Sequence, residues 1–177
     1  MDFHSQPPWK RAQRDVHLKG DCLPAIVSRV VEVCIFRRQK EGPEYLLLRR
    51  SQEDAIYPGI WQLVTGSIHE GERATDAAKR EMLEETGLAL DRFWVVPFVN
   101  SFYVSVNDTV HMSPVFAAEV NPVSSVRLSN EHQDHKWCSF ELAMDTLVWP
   151  GQRSAIQLVH DYLVGGKEAS RLLSQHV

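Results

Sequence analysis

Apolar positions along this chain follow two periods. "AIVSRVVEVCIF" (25–36) is β-branched and nearly continuous, the pattern of a central strand. "RRQKEGP" turns the chain, and "EYLLLRR" (44–50) follows as a second strand. "SQEDAIYPG" is a loop punctuated by Pro58-Gly59, and "IWQLVT" (60–65) is a short strand. Two longer strands are expected at "FWVVPFVNSFYV" (93–104) and "TVHMSPVFAAEV" (109–120), with Asn107-Asp108 as a two-residue hairpin turn between them. Pro97 and Pro114 mark bulges or edges there, because proline has no N–H to give to a ladder. A last short strand is expected at about 135–138.

Helical spacing takes over near Ala74 and stops at Gly87, a residue suited to a left-handed C-terminal cap. It returns in "FELAMDTL" and in "GQRSAIQLVHDYLV", where Ala155, Ile156, Val159 and Leu163 share a face and Gly165-Gly166 ends the run. Strands, a helix, more strands and terminal helices predict an α+β protein, an α/β/α sandwich on a mixed sheet. Regular strand–helix alternation and a GxGxxG turn are both missing, which argues against a Rossmann fold. The expected division is a polar N-terminal arm (1–23) with Pro7 and Pro8, one domain (24–166) and a C-terminal tail (167–177).

Composition narrows the function classes. Of 177 residues, 44% are hydrophobic and 24% charged, which is ordinary globular usage. The formal net charge of −4 offers no basic face for a nucleic acid polymer. No apolar run approaches the ~20 residues that a membrane span requires, and the first residues lack the apolar core of a secretory signal. Cys22, Cys34 and Cys138 are few, odd in number and far apart, so they are read as buried thiols in a reducing compartment. A cytoplasmic protein, monomer or homodimer, is the expectation.

The chemistry concentrates in "GSIHEGERATDAAKREMLEETGL" (66–88). At about 100° per residue, Glu81, Glu84 and Glu85 lie within an arc of roughly 100° on the helix, with Arg80 at its edge. Ala74, Ala77 and Ala78 continue that face and are small enough to admit a bulky ligand. Like charges three and four residues apart destabilise a helix, and the C-terminal turn adds an unfavourable dipole. A solvated charged face explains this placement poorly. A hard divalent cation, Mg²⁺ or Mn²⁺, explains it better: such ions take oxygen ligands and complete their shell with substrate phosphates.

Gly66, five residues, Glu72, seven residues and then "REMLEETGL" reproduce the pattern G-x5-E-x7-R-E-U-x-E-E-x-G-U, with Met82 and Leu88 at the aliphatic positions. The chain thereby resembles the Nudix hydrolases. The resemblance implies a Nudix fold, with a mixed central sheet flanked by the box helix and a C-terminal helix. It implies divalent-metal-dependent cleavage of a nucleoside diphosphate linked to another group. Glu81, Glu84 and Glu85 would be metal ligands, joined by the Gly66 carbonyl. Glu72 would pair with Arg80 to brace the box, and Gly87 would end its helix.

The flanks are similar to the bacterial dihydroneopterin triphosphate pyrophosphatase type, whose members also act on deoxynucleoside triphosphates. The similar positions are Trp61, Gln62, Val64, Thr65 and Ser67, then Glu131, His132, Lys136 and Trp137, then Trp149, Arg153, Ala155 and Ile156. The expected reaction turns a (deoxy)nucleoside or pterin triphosphate into monophosphate and pyrophosphate. Dinucleoside polyphosphates, nucleotide sugars and a non-catalytic nucleotide sensor are the alternatives. Glu131 stands where many Nudix enzymes carry a glutamate that reaches the metal centre and acts as base; an exposed loop acid is the other reading. Trp61, Arg49, Arg50 and Tyr103 are candidate substrate contacts, as are Tyr57, Phe98 and Asn100, each with a structural alternative. His132, His135 and Cys138 lack the fourth ligand of a structural zinc site.

Overall fold

The computed structural model describes residues 23–54, 57–165 and 174–175. The strands are β1 (Ala25–Val27), β2 (Val30–Gln39), β3 (Gly42–Arg50), β4 (Trp61–Gln62), β5 (Val64–Ser67), β6 (Arg92–Val104), β7 (Thr109–Glu119), β8 (His132–Cys138) and β9 (Ser174–Gln175). The helices are α1 (Ala74–Thr86), α2 (Phe140–Thr146) and α3 (Pro150–Leu158), the last continuing into a wider π-helical turn over Val159–Val164. All strands join one mixed sheet with the order β4-β3-β2-β7-β6-β9; β1 adds to β7, β5 to β2 and β8 to β3.

Alternation along β2 builds the sandwich. Cys34 and Phe36 point into a core shared with Tyr45, Leu47, Trp94, Val115 and the helical residues Ala143, Ala155, Ile156 and Val159. Val31, Val33 and Ile35 point to the other face, against Ala77, Ala78 and Met82 of α1. Period-two strands with both faces apolar must be covered twice, so the expected α/β/α sandwich follows from that pattern.

Several local expectations change. The single strand foreseen at 25–36 is two strands on one track. Ala25 pairs with Thr109 and Glu32 with Val115, so one additional residue is accommodated at the Ser28-Arg29 break. Pro114 falls between the two stretches of β7 that pair with β1 and β2, where a missing N–H does least harm. Pro97 lies in a bulge between Val95 and Val99. The strand at 60–65 also divides: β4 pairs with β3 and β5 with β2. At the switch, the Leu63 amide donates to the buried Gln152 side chain at 3.2 Å. The last strand begins three residues earlier than expected, at His132.

The β6–β7 connection runs from Ser105 to Asp108 rather than through a two-residue turn. Asp108 has φ 51°, while Asn107 is not among the positive-φ residues, so the paired left-handed geometry of a type I′ turn is not formed. Cys34 and Cys138 are buried free thiols, as expected, whereas Cys22 lies outside the described residues. The expected arm lies outside them too, except for Leu23. Of the expected tail, Ser174 and Gln175 pair with Trp94 and Phe93 as an edge strand. Gly165 ends the helical run, and Gly166 lies outside the described residues.

Candidate active site

The loop from Ile68 to Arg73 carries the chain from β5 into α1. Glu72 accepts a hydrogen bond from the His69 amide at 2.9 Å, closing the loop, and it takes both Arg80 Nε (2.8 Å) and Nη2 (2.9 Å). Those bonds from Arg80, and then that from His69, hold the Glu72 carboxyl well below the usual carboxylate range. Arg80 also donates from Nη2 to the Ser67 carbonyl (2.8 Å) and from Nη1 to Glu81 (2.8 Å) and Glu84 (3.1 Å). One guanidinium thus binds the end of β5, the loop and two carboxylates of α1. A planar fork does this where a point charge would not.

Gly66 pairs with Val31 on β2, and a Cβ there would overlap the Cγ and Cδ of Glu81. Glycine is required by this close approach, not by its backbone angles. At the other end of α1, Gly87 has φ 64° and its amide caps the Leu83 carbonyl. The helix C-terminus is strapped to the 121–131 loop: the Arg127 amide donates to Thr86 O (2.8 Å) and the Ser129 amide to Glu85 O (3.3 Å). Loop donors answer the orphan carbonyls that a cationic last turn would otherwise serve.

That strap delivers Glu131 to the acidic end of the helix. Glu85 is 4% exposed, and its Oε2 has no hydrogen-bond partner. Burial raises its carboxyl well above the ordinary value, and the fields of Glu81 and Glu131 raise it further. Burial also raises Glu81, against the hydrogen bond from Arg80. Arg50, which is ion-paired with Asp54 at 2.7 Å, lowers Glu85 in part. His132 Nδ1 stands 4.0 Å from Glu85 Oε2, and it too has no hydrogen-bond partner. Burial, followed by Arg50, pushes this imidazole down to about 4, so it is neutral near pH 7.

The structure brings together Gly66, Glu72, Arg80, Glu81 and Glu85, with Arg50 and the exposed Glu131 at the same end of the helix. Glu84 is at the rim, its side chain 58% exposed. Among the described residues, no group of three or more His, Cys, Asp or Glu side chains stands arranged to hold a metal ion. Glu81 and Glu84 are instead ion-paired with Arg80. The donor set is nonetheless all oxygen, with one buried carboxylate oxygen unanswered, which suits a hard divalent cation.

Other candidates lie elsewhere. Arg49 donates to the Gly59 carbonyl (3.1 Å) and stands 5.9 Å from the Trp61 ring, which Lys136 covers at 4.4 Å. Trp61 packs against the α2–α3 core. Tyr103 is exposed near the β6–β7 loop and donates to Asp108 at 2.9 Å, so its contact is local. Ala77 and Ala78 are fully buried against the sheet, so the small-residue face expected to admit a ligand is core instead. Glu32 is a residue that sequence reasoning passed over. It was signalled only by being the lone acid in the apolar run of β2.

No helix among the described residues is long and apolar enough to cross a membrane. A family model described as NUDIX domain matches residues 28–159. An octanoyltransferase of Myxococcus xanthus is 31% identical over 136 residues, which are 73% of this chain and 36% of that protein. This chain thus spans about a third of that relative's length. The nucleoside triphosphatase NudI of Escherichia coli is 27% identical over 106 residues, 56% of this chain and 74% of that one. Among solved structures, a NUDIX hydrolase of Listeria monocytogenes has a TM-score of 0.68 at 23% identity, covering 84% of this chain and 99% of that chain. The E. coli dihydroneopterin triphosphate pyrophosphohydrolase has 0.62 at 21%, covering 82% and 100%. With well over half of its length inside the family match, and with the box residues held together in space, the chain belongs to the NUDIX domain family.

Proposed function

We propose that this protein is a divalent-metal-dependent pyrophosphohydrolase that converts a (deoxy)nucleoside or dihydroneopterin triphosphate to monophosphate and pyrophosphate. The observation that carries the reading is the buried, unpartnered Glu85 oxygen beside Glu81 and Glu131, braced through Arg80. The nucleoside triphosphatase relative supports the substrate class, and the flanking residues support the pyrophosphate-releasing type.

In this reading Glu81, Glu84, Glu85 and the Gly66 carbonyl hold Mg²⁺ or Mn²⁺, which when bound supplies charge neutralisation at the phosphates and a more acidic water. Arg80 and Glu72 fix the acidic helix against β5, so its backbone keeps its place through the reaction. Glu131, whose charge acts on Glu81 and Glu85, is the general base in this reading. Arg50, at the same end, neutralises charge on a phosphate. Positioning and electrostatics then supply most of the acceleration, as in other phosphoryl transfers. A cytoplasmic setting accords with the free thiols Cys34 and Cys138.

The test is product identification with purified protein, Mg²⁺ and a panel of dATP, dGTP, dihydroneopterin triphosphate, a dinucleoside tetraphosphate and a nucleotide sugar. Pyrophosphate plus monophosphate is expected from a triphosphate. Glu84→Gln should lose most turnover with its melting temperature within ~1 °C of wild type, since the side chain is more than half exposed. Wild-type turnover in that variant, or binding without hydrolysis across the panel, would overturn the reading.

A further inference from the structure

The sheet face opposite α1 carries a second polar cluster inside the apolar core. Glu32 of β2 shares its face with Cys34 and Phe36 and is 3% exposed. Its Oε1 accepts from Asn100 Nδ2 at 2.8 Å, while its Oε2 has no partner in the protein. Ser113 pairs with Asn100 across β6 and β7, is fully buried, and its Oγ also lacks a partner. The Asn100 amide is held against the first turn of α3, where a Cβ on Gly151 would overlap its oxygen.

A protein interior rarely leaves polar atoms unanswered, and this cluster leaves two on neighbouring strands. Burial raises the Glu32 carboxyl to about 7, partly offset by the Asn100 bond, so near neutrality it can both donate and accept. The location adds a second argument. Glu32 pairs with Thr65 and Val31 with Gly66, so the cluster is one strand residue removed from the glycine of the acidic centre. In the nucleotide reading above, phosphates held at Gly66 and α1 would leave the ring to extend along β2 on the opposite face of the sheet, where this cluster lies.

We propose that Glu32, set by Asn100 and accompanied by Ser113, is the specificity-determining contact for the substrate's ring. It reads an exocyclic amine beside a ring nitrogen, the edge shared by adenine, guanine and pterins. The proposal rests on the nucleotide reading above and sharpens it to amino-bearing heterocycles. The carboxyl group answers the amine through one oxygen and the adjacent ring nitrogen through the other; the Asn100 bond fixes which way it faces. Pairing an amide or carboxyl side chain with two adjacent atoms of a base edge discriminates well because a ring lacking the amine leaves a buried oxygen unpaired.

The experiment compares pairs that differ by the amine. Wild-type protein should show kcat/KM at least ~10-fold higher for dGTP than for dITP, which lacks the 2-amino group. Glu32→Met, which keeps the length but removes both oxygens, should bring that ratio close to one, chiefly through KM. Metal-free calorimetry with dGMP and dIMP gives a readout independent of turnover, and the wild-type preference for dGMP should vanish in the variant. Ser113→Ala, which removes one buried hydroxyl, serves as the second variant should Glu32→Met fold poorly, and it should weaken dGMP binding severalfold. An unchanged dGTP/dITP ratio and unchanged dGMP binding in the folded variants would overturn the inference while leaving the hydrolase reading intact. Absence of turnover by wild type on every triphosphate would instead count against the hydrolase reading, with the monophosphate binding arm still deciding the role of Glu32.

Discussion

Replacing Glu85 with glutamine should make the metal-free protein more stable, although it removes a residue central to the proposed activity. Glu85 is buried, and its carboxyl is raised well above the ordinary value, first by burial and then by Glu81 and Glu131. A carboxyl raised in the folded state contributes fully below its unfolded value of about 4.3, and that contribution is lost as pH rises towards the folded value. The loss is about 1.4 kcal/mol for each pH unit in that window. Glutamine keeps the shape, carries no proton to lose, and can turn its carbonyl oxygen to accept from His132 Nδ1, 4.0 Å from the present Oε2, since Gln62 donates to Nε2 and leaves the proton on Nδ1. For a chain of this size, each such pH unit corresponds to roughly 3–6 °C in melting temperature. The assay is thermal unfolding in EDTA from pH 5 to pH 8.5 for both proteins. The curves should nearly meet at pH 5, with the variant above wild type at pH 8. Saturating Mg²⁺ should close the gap by stabilising wild type alone. A Glu85→Gln variant that melts below wild type at pH 8 in EDTA would refute this account of the buried carboxylate.

Two substitutions probe the framework around it. Gly66→Ala puts a methyl group into the Glu81 side chain and must displace it from Arg80, so turnover should fall roughly a hundredfold while the sheet stays folded. Steady-state kinetics with circular dichroism checks this, and wild-type turnover would show that Glu81 need not stand there. Arg80→Lys keeps the charge but offers three rotatable donors in place of the fork that now serves Glu72, Glu81, Glu84 and Ser67. Its kcat should drop roughly tenfold with KM little changed; a drop confined to KM would point to a direct phosphate contact instead.

The box was legible because its parts lie close together in sequence. Glu72, Arg80, Glu81, Glu84 and Glu85 belong to one loop and one helix, so spacing alone sets which side chains meet. Glu131 was half legible. Its loop was known, but its approach to Glu85 depends on the Arg127 and Ser129 amides finding the end of α1. Tyr103 shows the converse, since an aromatic near a cleft in sequence terms serves the loop beside it. The buried alanines of α1 show a limit of the helical wheel, which identifies a face without saying what it meets.

The sequence by itself determined the strand and helix pattern, the sandwich class and the acidic box, because periodicity and short-range spacing fix them locally. Only the tertiary structure decided how carboxylates and strands from distant segments combine. It divided the first strand at Ser28-Arg29, brought the 121–131 loop to the end of α1, and brought Glu32 to Asn100 across 68 residues of chain. Sheet register has no local code at those distances; it is set by which apolar faces must be covered and which buried polar atoms must be answered.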